Sequence, residues 1–160
     1  MMRVIIMQGI PGSGKTSWIK RKMLGVYKER EVCWEHYSAD RYFEELGHFD
    51  PAKLGEAHGQ CLREYVEALT DSVGTGPNLD INIVVDNTNT SLVELAPYMA
   101  LAQAYNVEVE LVRIHCDPEV AFARQTHGVP LAGIQAMDQR LRELVLPPFW
   151  KYKLTKVTDE

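Results

Sequence analysis

The sequence predicts an α/β fold of three layers, a parallel sheet covered by helices on both faces. Two observations predict it. Short apolar runs alternate with longer amphipathic segments along the chain, the pattern of βα units. A glycine-rich stretch, GIPGSGKTS at 9–17, joins the first apolar run to the first amphipathic segment.

Each element has its own reason. RVIIMQ (3–8) is a short apolar run ending at glycine and reads as a buried strand. TSWIKRKMLGVYKER (16–30) reads as a helix, and VCWEHYS (32–38), rich in aromatic and branched residues, as a second strand. Residues 51–70 read as a helix with Leu54, His58, Cys61, Leu62, Tyr65, Val66 and Leu69 on one face. GTGPN (74–78) breaks the chain before a third strand, INIVVD (81–86). The segment 91–105 is helical, with Ser91 and Glu94 spaced as a capping box. Its Pro97 either kinks the helix or marks its true first turn. VEVELVRIH (107–115) alternates as a strand, and 117–125 and 130–144 are helical. The tail PPFWKYKLTKVTDE is assigned no element, and its Trp150 either plugs the core or meets a partner.

A chain of 160 residues suits one domain spanning 1–160. At 46% hydrophobic and 24% charged it has a globular composition, so disorder is not expected. A net charge of −5 argues against a protein that coats nucleic acid nonspecifically. The basic cluster of Arg140, Arg142, Lys151, Lys153 and Lys156 reads first as a solvated face. Cys33, Cys61 and Cys116 form no CxxC pair, so neither a zinc site nor a disulfide framework is expected. No signal peptide or membrane-length apolar run is present, and a cytoplasmic location with no membrane partner is the expectation.

Gly9, Gly14, Lys15 and Thr16 satisfy G-x-x-x-x-G-K-[ST], between a predicted strand and a predicted helix. Glycines let the backbone curl so that its N–H groups point inward as an anion nest. The helix after the loop adds the positive end of its dipole. The expected ATP contacts are Gly9, Pro11, Gly12, Ser13, Gly14, Lys15, Thr16 and Ser17, with Lys15 on the outer phosphates. Thr16 and Asp86 are the expected Mg²⁺ ligands, since Mg²⁺ takes a few oxygens plus water.

The residues just past each strand narrow the kind of nucleotide protein. A GTPase would carry N-K-x-D, which is absent. A motor ATPase usually carries an Asp–Glu pair after a strand, whereas here Asp86 precedes Asn87. Asp40, just past the second strand, can orient an acceptor hydroxyl and take its proton. Arg124 precedes the expected hinge THGVP. A lid of about residues 122–138 could close there and bring the guanidinium onto the transferring phosphate. His127 reads as a turn residue and His58 as a core or groove residue. Arg140 is a second phosphate contact or a surface charge.

The set GIPGSGKTS, SAD, VVDNTNT, PYMALA and RQTHGVP resembles the P-loop kinase module of polynucleotide 5′-hydroxyl kinases and their short single-domain relatives. The resemblance covers roughly residues 3–140. It implies a P-loop NTPase fold with a short helical lid, and ATP and Mg²⁺ as cofactors. It implies phosphate and metal contacts at Lys15 and Thr16, a general base at Asp40 and a lid arginine at Arg124. Asn87 and Asn89 would line the acceptor side, and Arg41, Tyr42, Asp86 and Arg140 join them as candidate acceptor contacts. Family members often carry an arginine a few residues after the catalytic Asp, and Phe43 stands near that position here. The expected function is transfer of the ATP γ-phosphate to a nucleic-acid or nucleotide hydroxyl, such as the 5′-OH end of DNA or RNA. The alternatives are a kinase of a hydroxymethylated pyrimidine in DNA, a small-metabolite or nucleoside kinase, and a non-catalytic ATP-gated interaction module. For the pyrimidine kinase, Tyr42, Phe43 or Trp34 could stack the base.

Overall fold

The computed structural model describes residues 1–25 and 31–158. Among these residues five strands form one sheet: β1 (Met2–Gln8), β2 (Glu31–Tyr37), β3 (Leu79–Asp86), β4 (Glu108–His115) and β5 (Lys153–Thr158). Their spatial order is β2-β3-β1-β4-β5 and every pairing is parallel. The helices are α1 (Lys15–Leu24), α2 (Asp40–Leu46), α3 (Leu54–Ser72), α4 (Leu92–Ala104), α5 (Pro118–Arg124) and α6 (Leu131–Glu143).

The side-chain period of two divides the sheet residues between two cores. Val4, Ile6, Ile83, Val85 and Leu111 pack under α3 and α4 with Tyr65, Leu69, Leu95 and Met99. Ile5, Met7, Val84, Val112 and Ile114 face the other way, onto Trp18 and Ile19 of α1. Strands buried on both faces read as continuous apolar runs, which is why β1 and β3 do. The molecule is a three-layer α/β fold of the P-loop NTPase type.

β1 lies between β3 and β4, with Met7 level with Asp86 and Gln8 level with Arg113. The glycine-rich loop therefore leaves the sheet centre beside the end of β3, where Gly9 N donates to Thr88 O at 3.0 Å. Ligands of open α/β sheets bind beyond such strand ends.

Several expectations change. α1 stops at Leu24 with Gly25 as its cap, and the expected helical residues 26–30 lie outside the described residues. Residues 51–53 form a 3₁₀ turn ahead of α3. The core face of α3 is Ala57, Cys61, Tyr65, Ala68, Leu69 and Ser72. Leu54 and His58 stand along the same line but lie exposed, because they sit in the first turns of α3, where that line runs out of the core and onto a cavity. The Ser91–Glu94 capping box is present and fixes the start of α4, so Pro97 falls inside the helix. The carbonyl it leaves without a partner belongs to Val93, which is 85% exposed and open to water. The tail forms β5, and Trp150 and Tyr152 pack against the larger core.

Candidate active site

The loop after β1 is shaped by two glycines. Gly12 has φ +80° and Gly14 φ +98°. A Cβ on Gly12 would run into the backbone oxygen of Ala121, so only glycine lets α5 approach this closely. Gly14 caps α1 with no side-chain hydrogen bond, and no acidic residue stands in the first turn. The helix start is thus left with open N–H donors, the condition for holding an anion. Ser13 is fully buried and its Oγ has no hydrogen-bond partner.

Lys15 is folded into the loop, its Nζ donating to Gly9 O at 2.9 Å and Ile10 O at 3.1 Å. Burial pulls its pKa below the ordinary lysine value, and Asp86 and then Asp40 oppose that pull. A polyphosphate would stabilise the ammonium in place of the water that burial has removed.

At the tip of β3, Asp86 accepts from Thr16 Oγ1 at 2.9 Å, and its same oxygen lies 3.0 Å from His36 Nε2. Among the described residues no group of three or more His, Cys, Asp or Glu is placed to hold a metal ion. A hydroxyl beside one carboxylate is nonetheless the sparse, hard oxygen set that Mg²⁺ accepts when phosphates and water complete its shell. His36, at the end of β2, was not singled out from sequence. A histidine inside an aromatic strand carries no signal of its own.

Asn87 is buried and ties β3 to the start of α2. Its Oδ1 accepts from Ala39 N at 2.9 Å, and its Nδ2 reaches Cys61 Sγ at 3.5 Å. Asp40 follows Ala39 directly and opens α2. Across from it, His127 Nε2 lies 3.6 Å from Asp40 Oδ2. The segment carrying His127 is shaped by Gln125, which donates to Val129 O and accepts from the backbone of His127 and Val129.

These parts share one cavity of about 670 Å³. Its walls include Pro11, Gly12, Ser13, Gly14, Lys15, Thr16 and Ser17 of the loop, Asp40, Asp86, Asn87 and Arg124. Phe43, one of the aromatics considered for a base, is among them. So are Phe49, Leu54, His58 and His127, none of which sequence reasoning had assigned to a ligand. The other nominated residues stand outside the wall. Gly9 contributes its carbonyl to Lys15. Arg41 points to Glu64 at 4.0 Å, Tyr42 donates to Glu56, and Trp34 packs against the core beneath α1. Asn89, at φ 47°, is buried and donates to Met7 O, while its own carbonyl accepts from Gln8, a role in holding β1 to the β3 tip. Arg140 donates to Thr90 Oγ1 at 3.4 Å, and its neighbour Arg142 pairs with Asp138. Several of these side chains found partners far along the chain, as Asn89 does on β1 and Arg140 on Thr90, which spacing alone does not reveal.

Comparison with known proteins bears on the family and the fold. Human NEDD4-binding protein 2 is 29% identical over 151 residues, covering 91% of this chain and 8% of that protein. The chain therefore spans only a small part of that relative's length. The crystal structure of Chaetomium thermophilum Kti12 in complex with ADP-AlF3 superposes with a TM-score of 0.59 at 16% identity, covering 97% of this chain and 88% of Kti12. That likeness is one of fold. The model of the AAA_33 family, described as an AAA domain, matches residues 4–144. From the first strand to the end of α6, then, the chain belongs to the AAA_33 family.

Proposed function

We propose that this protein binds ATP with Mg²⁺ and transfers the γ-phosphate to a hydroxyl of a nucleic acid, in first place the 5′-OH end of DNA or RNA. One observation carries the reading: the anion loop, the Thr16–Asp86 oxygens, the acid Asp40 and Arg124 all face one cavity. Kti12 was solved with ADP-AlF3, which supports nucleotide binding by this fold here.

Lys15 and the loop amides hold the β- and γ-phosphates. Thr16 and Asp86 hold Mg²⁺, which would neutralise phosphate charge when bound. Asp40 orients the acceptor hydroxyl and takes its proton as the oxygen bonds to the γ-phosphorus and ADP leaves. Residues 122–138 act as a lid. Arg124 meets the charge that develops on the transferring group, and His127 steadies Asp40. One domain carries the whole reaction, in the cytoplasm.

The test incubates the protein with γ-labelled ATP and four acceptors: 5′-OH DNA, 5′-OH RNA, hydroxymethylated duplex DNA and nucleosides. Label on the 5′-OH ends is the expected outcome. Label only on the base, or only on nucleosides, would redirect the acceptor assignment, and label on none with ATP still bound would remove the transferase reading. Asp40→Asn should bind ATP as the parent does and lose about 10²–10⁴-fold in transfer rate.

A further inference from the structure

The cavity changes chemistry along its length. Its central part is the polar loop after β1. Its far part, on the β2 and β3 side of the sheet, is built by α2, the turn after it and the start of α3. Phe43 lies three residues after Asp40 in α2, so the two share one face of that helix. Phe43 is 7% exposed and packs with Ala39 and Ala57. Phe49 stacks on it at a tilt, ring centroids 4.9 Å apart, yet remains 50% exposed. Leu54 and His58, one turn apart on α3, extend the same wall.

Among the described wall residues of this part there is no Lys or Arg. Arg41, beside Asp40, faces Glu64 instead, and Lys15 is engaged inside the loop. A phosphodiester placed here would meet no cation. A flat ring would meet a buried aromatic, a half-open aromatic and an aliphatic side chain. A half-exposed Phe facing a cavity beside a catalytic acid is the surface on which a heterocycle stacks at a gain in apolar contact.

Resting on the phosphotransferase reading, we propose that Phe43, Phe49, Leu54 and His58 form a base-stacking subsite. It holds the heterocycle of the acceptor nucleotide, so the acceptor is selected by its base and not by its backbone phosphate. Phe49 supplies the stacking face, Phe43 fixes its angle, and His58 offers a polar group at the ring edge.

The experiment uses the full chain with Mg²⁺ and the non-hydrolysable analogue β,γ-imido-ATP. Two short single-stranded 5′-OH oligodeoxynucleotides carry a fluorophore at the 3′ end. One begins with thymidine and the other with an abasic tetrahydrofuran residue. Fluorescence anisotropy reads their affinities for the parent chain and for Phe49→Ala, which removes a half-exposed ring and leaves the buried Phe43 in place. The expected result is that loss of the base weakens binding about 5–100-fold. Phe49→Ala should weaken the thymidine oligonucleotide by a similar factor and the abasic one hardly at all, with affinity for the nucleotide analogue unchanged. Phe43→Leu should act in the same direction, more weakly.

Equal affinity for the two oligonucleotides would overturn the subsite. So would an equal loss for both on Phe49→Ala, or a loss of nucleotide affinity. Transfer from labelled ATP to the same oligonucleotides separates the two claims. Base-independent transfer leaves the transferase reading and ends this one. Base-dependent binding that needs Phe49, without transfer, does the reverse.

Discussion

Asp40 and His127 come from opposite halves of the chain and meet at 3.6 Å across the cavity. Both side chains are about half exposed, so the contact is soft in water and, in the proposed mechanism, would gain strength as the lid excludes solvent. His127→Ala should therefore lower kcat about 10–100-fold with little change in the KM for ATP. His127→Gln, which keeps a donor, should recover part of the loss in steady-state assays. Lys15 raises a different issue. Its pKa is lowered chiefly by burial, so the folded chain holds this proton less tightly than the unfolded chain does. Between the lowered pKa and the ordinary value of 10.5, stability of the nucleotide-free protein should rise with pH as the folded state sheds the charge. Lys15→Met should abolish that rise and raise Tm near neutral pH by about 2–4 °C for each kcal/mol recovered. It should also abolish nucleotide binding; melting curves with and without ATP check both. At this scale the sequence showed the loop residues and Asp40 clearly, because motif spacing encodes a backbone path. It was silent on the reach of His127, whose place depends on how far α5 and the turn after it extend back over the sheet.

At the scale of elements, the loop and α5 are one packed unit. Ala121 O presses against the Cα of Gly12, and Ala121 also joins Ile10, Cys116 and Ile134 in a small core. Gly12→Ala would place a methyl where no space exists and force a side chain into φ +80°. Left-handed backbone alone costs on the order of 1–3 kcal/mol for such a residue. The expected outcome is a lower Tm together with at least a tenfold weaker nucleotide affinity, measured by thermal melting and calorimetry. Helices α1 and α3–α6 were legible from periodicity, and Ser91 and Glu94 marked the start of α4; the short α2 was not assigned. The core face of α3 was legible at Cys61, Tyr65 and Leu69 but not at Ala57 and Ala68, since alanines were not counted as core. β5 was missed because KLTKVT places two polar residues and one apolar residue on each side of an edge strand, a pattern no stronger than that of a loop.

For the whole molecule, that overlooked strand matters. The family match ends at residue 144, yet the sheet continues beyond it. β5 covers the outer edge of β4, Thr155 donates to the buried Glu110 at 2.7 Å, and Trp150 and Tyr152 lean on the main core. A chain shortened to end after Leu146 should lose roughly 2–4 kcal/mol from those two half-buried aromatic side chains alone. At about 2–4 °C per kcal/mol its Tm should fall by roughly 4–16 °C. Circular dichroism melts and light scattering would register both the loss and the self-association of a bared β4 edge. The parallel three-layer plan was readable from the alternation of elements, while the sheet's true width was not.

Asn87 holds the backbone of Ala39 through a single amide contact, so the wall proposed for the acceptor is pegged to the end of β3 while the loop proposed for the donor is rooted in β1. The two halves are thereby separable parts. A protein engineer could exchange residues 43–54 to admit a different alcohol, keep the peg, and leave the phosphate grip as it stands.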